Sequence, residues 1–495
     1  MARFNQRASE PTKTTNIAGG EAFKESAELE LVSILLTSFV KDQFYSTATD
    51  IIKNVGALLD RVDPVFAAKA AIYARTKFGM RSISHVVAGE LCKRVSGQPW
   101  MKDFLNAVVF RPDDILEIAS YYDTRKNKET HAMRKGLGAA MSRFGEYQLA
   151  KYRGDGKAIS MVDLANIFHP QNTPAIKKLI AGELKNTNTW EAKLTETGKA
   201  ETQEEQAELK NAAWSELLKT KKLGYFALLR NLRNIIEQSP ESLSMALEQL
   251  VNESAIRKSL VLPFRFITAQ EEIAKLPGKL ARDTMNALSD AMDKSVSNCP
   301  ELSGRTLVAL DCSGSMSGKP YDIGSLFTAA LYKRCNADII LFDSSANYLT
   351  LASSDSVMSL VTQLKGEFRN GGTDFKPIFE EMTKRKEAYD RVIILSDMQA
   401  WQGYRQPERE LNSYRRTIGK NPHIYSIDLA GHGTLQFPEK NVYALAGFSE
   451  KLFDVMKMLE QDRNALINEI KKVEFKVTKE TKHKQPQVEE VVVAQ

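Results

Sequence analysis

The sequence predicts two domains of different fold class, a long helical region followed by an α/β domain. Apolar residues recur at helical spacing from about residue 21 to 297, as in Phe23, Ala27, Leu31, Leu35 and Phe39. Beyond the break at Asn298-Cys299-Pro300, short apolar runs alternate with helical stretches, which is typical of a parallel sheet wrapped by helices. We therefore expect a helical domain over 14–298, an α/β domain over 304–471 and a disordered tail over 472–495.

The helical region carries clear helix-start signals and no convincing strand. Asp63-Pro64 and Ser239-Pro240 each place a capping side chain before a proline that suits the first turn of a helix. Helices without a sheet to cover must pack on one another, and successive helix pairs commonly stack as a curved solenoid. Residues 186–212, rich in Glu, Lys and Thr, are expected to form a solvated insertion or a mobile loop.

The α/β domain is expected to begin with a buried strand and to end with a helix. Helices are predicted near Ile323–Lys333 and Ser449–Lys471. The predicted strands are Thr306–Leu310, Asp338–Phe342, Arg391–Leu395 and His423–Ile427.

Composition excludes some classes of protein. The N-terminal residues lack an apolar signal core, and no run approaches the roughly 20 apolar residues that a membrane helix needs, so we expect no membrane association. The four cysteines are widely spaced and form no CxxC pair, which argues against a zinc site and favours a reducing cytoplasm. The net charge of +6 is too small to identify a nucleic-acid binder by itself, so any basic surface must be local.

Five oxygen-bearing side chains lie where strands and turns end in the α/β domain. Asp311, Ser313 and Ser315 come directly after the first predicted strand. Thr373 follows a Gly-Gly pair, and Asp397 comes at the end of the run RVIILS. Because ligand sites favour the carboxyl ends of parallel strands, all five can converge on one ion. Hard oxygen donors with few carboxylates suit magnesium, or manganese as the alternative, better than calcium.

Two alternatives for these residues stay open. The run Asp311–Ser315 can be an ordinary Gly/Ser turn while Asp397 caps a helix, or the fold can be kept without a bound metal. Enzymatic interpretations have less support, because a dehalogenase-type phosphatase needs a second Asp where Ser313 stands. The sequence also contains neither a GxSxG nucleophile elbow nor a Walker motif. We expect no catalysis.

The order DxSxS, GGTD and a strand-terminal Asp resembles the metal-ion-dependent adhesion site of von Willebrand factor A domains. The resemblance implies a Rossmann-like α/β fold and a divalent metal, magnesium before manganese. It also implies a ligand set of Asp311, Ser313, Ser315, Thr373 and Asp397.

Several phrases of the helical region resemble, in their order, the TROVE domain of the Ro ribonucleoprotein autoantigen family, with its bacterial and phage relatives. The resemblance covers roughly residues 14 to 470. The phrases begin at Asn16–Gly20 and Tyr73–Arg75 with Arg81, and continue through Met161–Leu164 with His169-Pro170, Ala227–Arg233 and Leu262–Phe266.

This second resemblance implies a ring of HEAT-like helical repeats closed by the A-type domain. It also implies Y-like small non-coding RNA on the outer basic surface, and single-stranded 3′ ends of misfolded RNA in the central hole. Such proteins act in RNA quality control, or as RNA scaffolds for a nuclease such as a 3′-to-5′ exoribonuclease. We therefore expect an RNA-binding monomer that does not bind DNA.

Candidate RNA contacts are basic. His169 matches the family's histidine near the RNA-binding surface, although it can instead simply end a helix. Arg230 and Arg233 share one helix face, where they can meet phosphate or pair with buried carboxylates. Phe144, Tyr147 and Tyr152 are neighbours that can stack exposed bases. The other candidate phosphate contacts are Arg134, Lys135, Arg143, Lys151 and Arg153.

A hypothesis from a different class is a protein-interaction scaffold without an RNA role, in which the metal site captures an acidic side chain of a partner protein. The two hypotheses differ in what abolishes binding. RNA affinity falls steeply with salt, whereas a metal-bridged protein contact is lost when the metal is chelated.

Overall fold

The structure is a computed structural model. It describes residues 12–15, 21–24, 26–37, 48–95, 97–123, 126–154, 156–184, 194, 197–199, 202–398, 407–429, 442–446, 452–461 and 465–476. Internal contacts divide the chain into two compact units whose limits differ from those of the predicted domains. The larger unit contains Met1–Asp63 and Asn186–Glu469, and the smaller unit contains Pro64–Lys185 and Ile470–Gln495.

The described part of the chain begins with two short strands, β1 (Thr12–Thr15) and β2 (Glu21–Lys24), which pair antiparallel. The prediction of helix from about residue 21 is therefore wrong at its start, because Phe23 lies on β2 opposite Lys13. So short a stretch carries too few apolar positions to separate a helical period from a strand period. Phe39, from the same pattern, lies outside the described residues.

Helices follow one another from Ala27 to Ser295, as predicted. Their bounds are α1 (Ala27–Thr37), α2 (Ala48–Leu59), α3 (Pro64–Lys77), α4 (Ser82–Arg94), α5 (Met101–Val108), α6 (Pro112–Tyr122), α7 (His131–Met141), α8 (Glu146–Lys151), α9 (Met161–Phe168), α10 (Pro174–Ile180), α11 (Gln203–Lys219), α12 (Tyr225–Gln238), α13 (Leu243–Leu250), α14 (Glu253–Ser259), α15 (Ile267–Ile273) and α16 (Lys279–Ser295).

In the smaller unit each helix packs on its second neighbour along the chain. Helix α4 contacts α6, α5 contacts α7, α7 contacts α9, and α8 contacts α10. Helix α3 is buried over most of its surface, since its alanines let neighbouring helices approach closely. Repeated contact between near neighbours is the arrangement expected of stacked helical repeats.

The predicted insertion at 186–212 is partly helical. Helix α11 begins at Gln203, after Thr202, whose side chain accepts a hydrogen bond from the N–H of Glu205. Its charged residues form the solvated face of the helix, while Trp214 and Leu218 on the other face are buried. The prediction of a loop is therefore wrong for residues 203–212. Residues 186–193, 195–196 and 200–201 lie outside the described residues.

The α/β domain contains a six-stranded sheet in the order β5-β4-β3-β6-β7-β8. The four predicted strands are confirmed as neighbouring parallel strands, and two further strands, β5 and β8, were missed. Strand β5 pairs antiparallel with β4, so the sheet is mixed rather than purely parallel. The strands are β3 (Thr306–Asp311), β4 (Asp338–Phe342), β5 (Ala346–Leu349), β6 (Arg391–Ser396), β7 (His423–Asp428) and β8 (Val442–Ala446).

Helices cover this sheet. The predicted helix near Ile323–Lys333 is confirmed and longer, and the one near Ser449–Lys471 forms two helices with residues 462–464 outside the described residues. The helix bounds are α17 (Lys319–Cys335), α18 (Val357–Gly366), α19 (Lys376–Arg385), α20 (Pro407–Ile418), α21 (Leu452–Gln461) and α22 (Ala465–Lys471).

The last described residues belong to the smaller unit. Phe475, within the predicted tail, packs on Trp100 with 5.5 Å between ring centroids. Residues 477–495 lie outside the described residues. Among the helices that the structure describes, none has the length and apolar character needed to cross a membrane.

Candidate metal centre and nucleic-acid interface

Strand β3 delivers Asp311 to the carboxyl end of the sheet. All six of its residues are buried, because the strand lies between β4 and β6 and helices cover both faces. The Asp311 carboxylate is fully buried. It accepts hydrogen bonds from the Ser313 N–H at 2.9 Å and from the Ser396 hydroxyl at 2.5 Å. Both donors are neutral, so they orient the carboxylate without cancelling its charge.

The turn after β3 brings the two predicted serine ligands together. The Ser313 hydroxyl lies 3.3 Å from the Ser315 hydroxyl, and Ser313 is buried while Ser315 is exposed. The backbone between them is fixed by a second loop, because the Gly314 N–H donates to the Gly371 carbonyl at 2.9 Å. The serines therefore border both solvent and the buried carboxylate.

Glycine is required where these loops meet. A Cβ atom at Gly371 would lie 2.6 Å from a carboxylate oxygen of Asp343, which is inside the contact distance of the two atoms. A β-bridge between Gly371 and Ser313 holds this loop against the serine turn, and Thr373, two residues further on, is buried. Sequence reasoning noted the Gly-Gly pair but did not identify Asp343 as its neighbour.

Strand β6 supplies the last predicted ligand, Asp397, directly after Ser396. Asp397 is buried and lies close enough to Asp311 to affect the pKa of that carboxyl group. Burial raises the pKa of Asp311 to about 7, and the charge of Asp397 adds to this, while hydrogen bonds from Ser313 and Ser396 oppose it. Two neighbouring buried carboxylates are costly without a cation.

The residues present fit a hard divalent cation. Two carboxylates and three hydroxyls supply oxygen donors of the kind that magnesium and manganese prefer. The parts of the chain that the structure describes contain no group of three or more His, Cys, Asp or Glu side chains placed to hold a metal. A cation here would therefore depend on the hydroxyls and would leave positions for water or a partner's carboxylate.

Sequence reasoning missed Ser396. Its hydroxyl donates to Asp311 and accepts the N–H of Met398 at 3.0 Å, so it joins strand β3 to the turn that carries Asp397. The sequence feature that could have identified this serine is its position immediately before the aspartate that follows the strand. The Ser396 hydroxyl orients the Asp311 carboxylate and adds no charge.

The first of the predicted RNA contacts lie on helix α7. Lys135 is exposed. Arg134 is also near the surface, but its Nη2 lies 2.6 Å from the Glu129 carboxylate. Lys135 therefore offers a full charge to a phosphate, whereas the charge of Arg134 is already partly balanced.

His169 lies in a loop that packs on the same helix. The Gln171 N–H donates to the Ser142 hydroxyl at 2.8 Å, and a Cβ atom at Gly138 would lie 2.8 Å from the Phe168 carbonyl oxygen. Lys135 precedes Gly138 by three residues and shares its face of the helix. The structure therefore places the loop of His169 about one helical turn from Lys135.

His169 also ends a helix, as the alternative interpretation expected. It follows α9 with a positive φ of 47°, and its N–H donates to the Ala165 carbonyl. His169 therefore ends the helix in a left-handed backbone conformation, and its side chain is exposed as well. The two interpretations of this residue do not exclude each other.

Arg143 has a structural role. Its Nη2 donates to the carbonyl of Asn106 at 2.9 Å and to that of Val109 at 2.7 Å, both at the carboxyl end of α5. Burial lowers the pKa of its guanidinium. Such contacts satisfy carbonyls that a helix end leaves unpaired, so much of the guanidinium is occupied before any RNA binds.

Lys151, Tyr152 and Arg153 follow one another at the end of α8. Lys151 is exposed, with its Nζ 5.8 Å from the centre of the Tyr152 ring, and Arg153 is half-buried. Of the aromatic residues expected to stack on bases, Tyr147 is 52% exposed whereas Phe144 is 7% exposed. Phe144 is therefore a core residue, and its expected role in stacking is wrong.

Arg230 and Arg233 lie on helix α12 in the larger unit, and both are exposed. Arg233 forms ion pairs with Glu237 and Glu272, each at 3.0 Å. These carboxylates are exposed, so the alternative of buried partners is wrong for Arg233, and solvent screens its two ion pairs.

Comparison with known proteins gives matches over both parts of the chain. The TROVE domain model matches residues 37–209 and 183–312, and the Ro60 vWA domain model matches residues 305–459. Together they reach from the end of α1 to helix α21 of the sheet domain.

Individual relatives are more distant. Telomerase protein component 1 of Mus musculus is 22% identical over 351 residues, which are 52% of this chain and 13% of that protein. RNA-binding protein RO60 of Deinococcus radiodurans is 24% identical over 226 residues, which are 41% of this chain and 42% of that protein. The chain thus spans less than half the length of these relatives.

A solved structure has the same fold. The crystal structure of the Deinococcus radiodurans RO (RSR) protein aligns with a TM-score of 0.64, covering 87% of this chain and 100% of that one. The two sequences are 16% identical, so the fold persists although most side chains differ.

Proposed function

This chain belongs to the TROVE-domain family, with a Ro60-type von Willebrand factor A domain after the helices, and we propose that it is a non-catalytic RNA-binding protein of the Ro type. The observation that carries the proposal is that Lys135, Lys151 and His169 are all exposed in the smaller unit, with the loop of His169 packed on the helix of Lys135. Lysines on a rigid helical scaffold neutralise phosphates without reading base sequence, which suits RNA recognised by shape.

In finer detail, we propose a ring that binds Y-like small RNA on its outer surface and single-stranded 3′ ends of misfolded RNA in its hole. A role in RNA quality control follows, with the bound RNA presented to a 3′-to-5′ exoribonuclease in the cytoplasm. The cysteines support a reducing compartment, because all four are free thiols. A ring closed within one chain would need no partner subunit, so we propose a monomer.

The proposal is tested by purifying the protein from its native host and sequencing the RNA that remains bound at moderate salt. A variant with Lys135, Lys151 and His169 all changed to Ala should lose a discrete stem-loop RNA that the wild type retains. A matched control, Lys219→Ala with Lys384→Ala, removes two exposed lysines of the larger unit and should retain it. Absence of enriched RNA from the wild type contradicts the function.

A second function is favoured by the buried carboxylate pair Asp311 and Asp397. A divalent cation held there, most simply magnesium, would present an open position to an acidic side chain of a partner protein. Proteins that co-purify with the wild type but are released by chelator, and that do not bind Asp311→Ala, support this function. RNA turnover that Asp311→Ala abolishes would instead indicate a metal-dependent hydrolase.

A further inference from the structure

A group of arginines in the smaller unit has more positive charge than its carboxylates neutralise. Asp114 is fully buried and forms an ion pair with Arg75, in which Nη2 of Arg75 lies 2.9 Å from Oδ2 of Asp114. The same carboxylate accepts the N–H groups of Phe110 and Arg111 at 2.8 Å and contacts Nε2 of His85 at 2.8 Å. Its hydrogen-bonding capacity is therefore fully used within the core.

The neighbouring carboxylate, Asp113, serves two arginines. One of its oxygens, Oδ2, accepts from Nη2 of Arg81 and, at 3.2 Å, from Nη2 of Arg111. The side chain of Asp113 is 14% exposed, whereas those of Arg81 and Arg111 are 38% and 36% exposed. Two guanidinium groups thus share one carboxylate, and the arginines are the members that reach solvent.

Arg111 is held in a fixed position. Its guanidinium lies over the ring of Tyr152, with 4.7 Å from Cζ to the ring centre, and donates to the Tyr152 hydroxyl. The Nζ atom of Lys151 also lies over the Tyr152 ring, 5.8 Å from its centre. Orienting contacts of this kind reduce the entropy lost when a guanidinium binds an anion.

The charges do not balance. Arg75, Arg81, Arg111 and Lys151 carry four positive charges, and Asp113 and Asp114 carry two negative ones, so these six side chains have a net charge of +2. Burial lowers the pKa of Arg75, Asp114 opposes this effect, and the charges of Arg81 and Arg111 lower the pKa to a smaller extent. The arginines therefore repel one another, and a bound anion would relieve that repulsion.

We propose that Arg81, Arg111 and Lys151 form a binding site for one backbone phosphodiester group of single-stranded RNA. The inference rests on the RNA-binding function proposed above and assigns it two arginines that sequence reasoning did not select. Guanidinium groups donate two parallel hydrogen bonds to phosphate oxygens, which gives both geometry and affinity. A free phosphate ion offers the same oxygens, and the test below separates the two.

The site is tested with Arg81→Gln/Arg111→Gln in the full chain. The probe is a fluorescein-labelled single-stranded RNA of about 16 nucleotides, and its dissociation constant is measured by anisotropy at several salt concentrations. Loss of one phosphate contact should reduce the log–log salt slope by roughly 0.7 and weaken binding at 0.1 M salt by about fivefold. The matched control Arg94→Gln removes an arginine of similar exposure in the same unit, paired with Glu90 at 3.1 Å, and should change neither value.

A second variant guards against misfolding. Asp113→Asn leaves both arginines and removes their counter-charge, so it should strengthen RNA binding, an effect that loss of structure does not produce. Melting temperatures of all variants are recorded. Weaker binding by Asp113→Asn, or an equal loss in Arg94→Gln, overturns the assignment.

The remaining outcomes distinguish failure of this phosphate site from failure of the proposed RNA-binding function. Unchanged affinity and slope in the double variant overturn the site while leaving RNA binding intact, whereas a wild type that binds no RNA removes both. Titration with inorganic phosphate distinguishes the ligand source. Phosphate binding that the double variant loses, with RNA affinity unaltered, identifies a free-phosphate site and overturns the proposal.

Discussion

Arg75 and Asp114 form a buried ion pair that joins helix α3 to helix α6, with the Arg75 side chain 4% exposed and that of Asp114 fully buried. Three hydrogen bonds link their side chains: Nε of Arg75 donates to Oδ2 of Asp114 at 3.1 Å, and Nη2 donates to Oδ2 at 2.9 Å and to Oδ1 at 3.2 Å. His85 on α4 contacts the same carboxylate. Three helices thus share one charge, which fixes their relative positions.

Removal of this carboxylate should destabilise the helical unit strongly. Asp114→Ala leaves Arg75 buried without its partner, and breaking a buried pair in this way typically costs about 3–5 kcal/mol. Urea unfolding followed by circular dichroism measures the loss. Glu117→Ala, which removes the surface partner of Lys157 from the same helix α6, is the control and should cost about 0–1 kcal/mol. Equal losses in the two variants contradict a special role for Asp114.

The same pair should make stability depend on acid. Burial alone would raise the pKa of Asp114, but hydrogen bonds from His85 and Arg75 and the charge of Arg75 lower it on balance. The unfolded carboxyl group, with a pKa of about 3.9, then takes up protons before the folded one does. The stabilisation is complete above about pH 4 and falls as the pH falls below that value.

Urea midpoints measured from about pH 6 to pH 3 test this acid dependence. Wild type should lose more stability than Asp114→Asn below about pH 4, because the variant has no carboxyl group to protonate there. Parallel curves for the two proteins are the contrary result.

The site around Asp311 should respond to divalent cations. Magnesium that binds only the folded state at about 100 times its dissociation constant stabilises that state by about 2.7 kcal/mol. We expect magnesium to raise the melting temperature of the wild type and not that of Asp311→Asn. Asp322→Asn is the matched control, since Asp322 is an exposed residue of the following helix that pairs with Lys365, and it should keep the response. A response retained in Asp311→Asn places the cation elsewhere.

We expect Arg143 to contribute to the free energy of unfolding even when no RNA is bound. Arg143→Ala removes two hydrogen bonds to carbonyls at the end of α5, which should lower the free energy of unfolding by about 1–3 kcal/mol. Lys135→Ala, on an exposed position of α7, should lower it by less than about 0.5 kcal/mol. Thermal unfolding without RNA makes the comparison, and equal melting temperatures would assign Arg143 to the surface.

Much of the architecture follows from local pattern. Buried strands such as Thr306–Asp311 stand out because most of their residues form a continuous apolar run, and helix starts such as Pro64 follow from the fixed φ angle of proline. The short edge strand Ala346–Leu349 was missed because its residues are only partly buried and carry no strong apolar run. An edge strand is selected by its pairing partner more than by its own sequence.

The sequence by itself determined the serine turn of the candidate metal site, because Asp311, Ser313 and Ser315 are neighbours in the chain and their spacing fixes their geometry. Only the tertiary structure decided which distant groups join them: Ser396 reaches Asp311 across 85 residues. The same holds for the basic residues, since Arg143 is occupied by carbonyls 34 and 37 residues away. The sequence shows which residues are charged, but the packing decides whether a charged group is bound by partners inside the protein or remains available to a ligand.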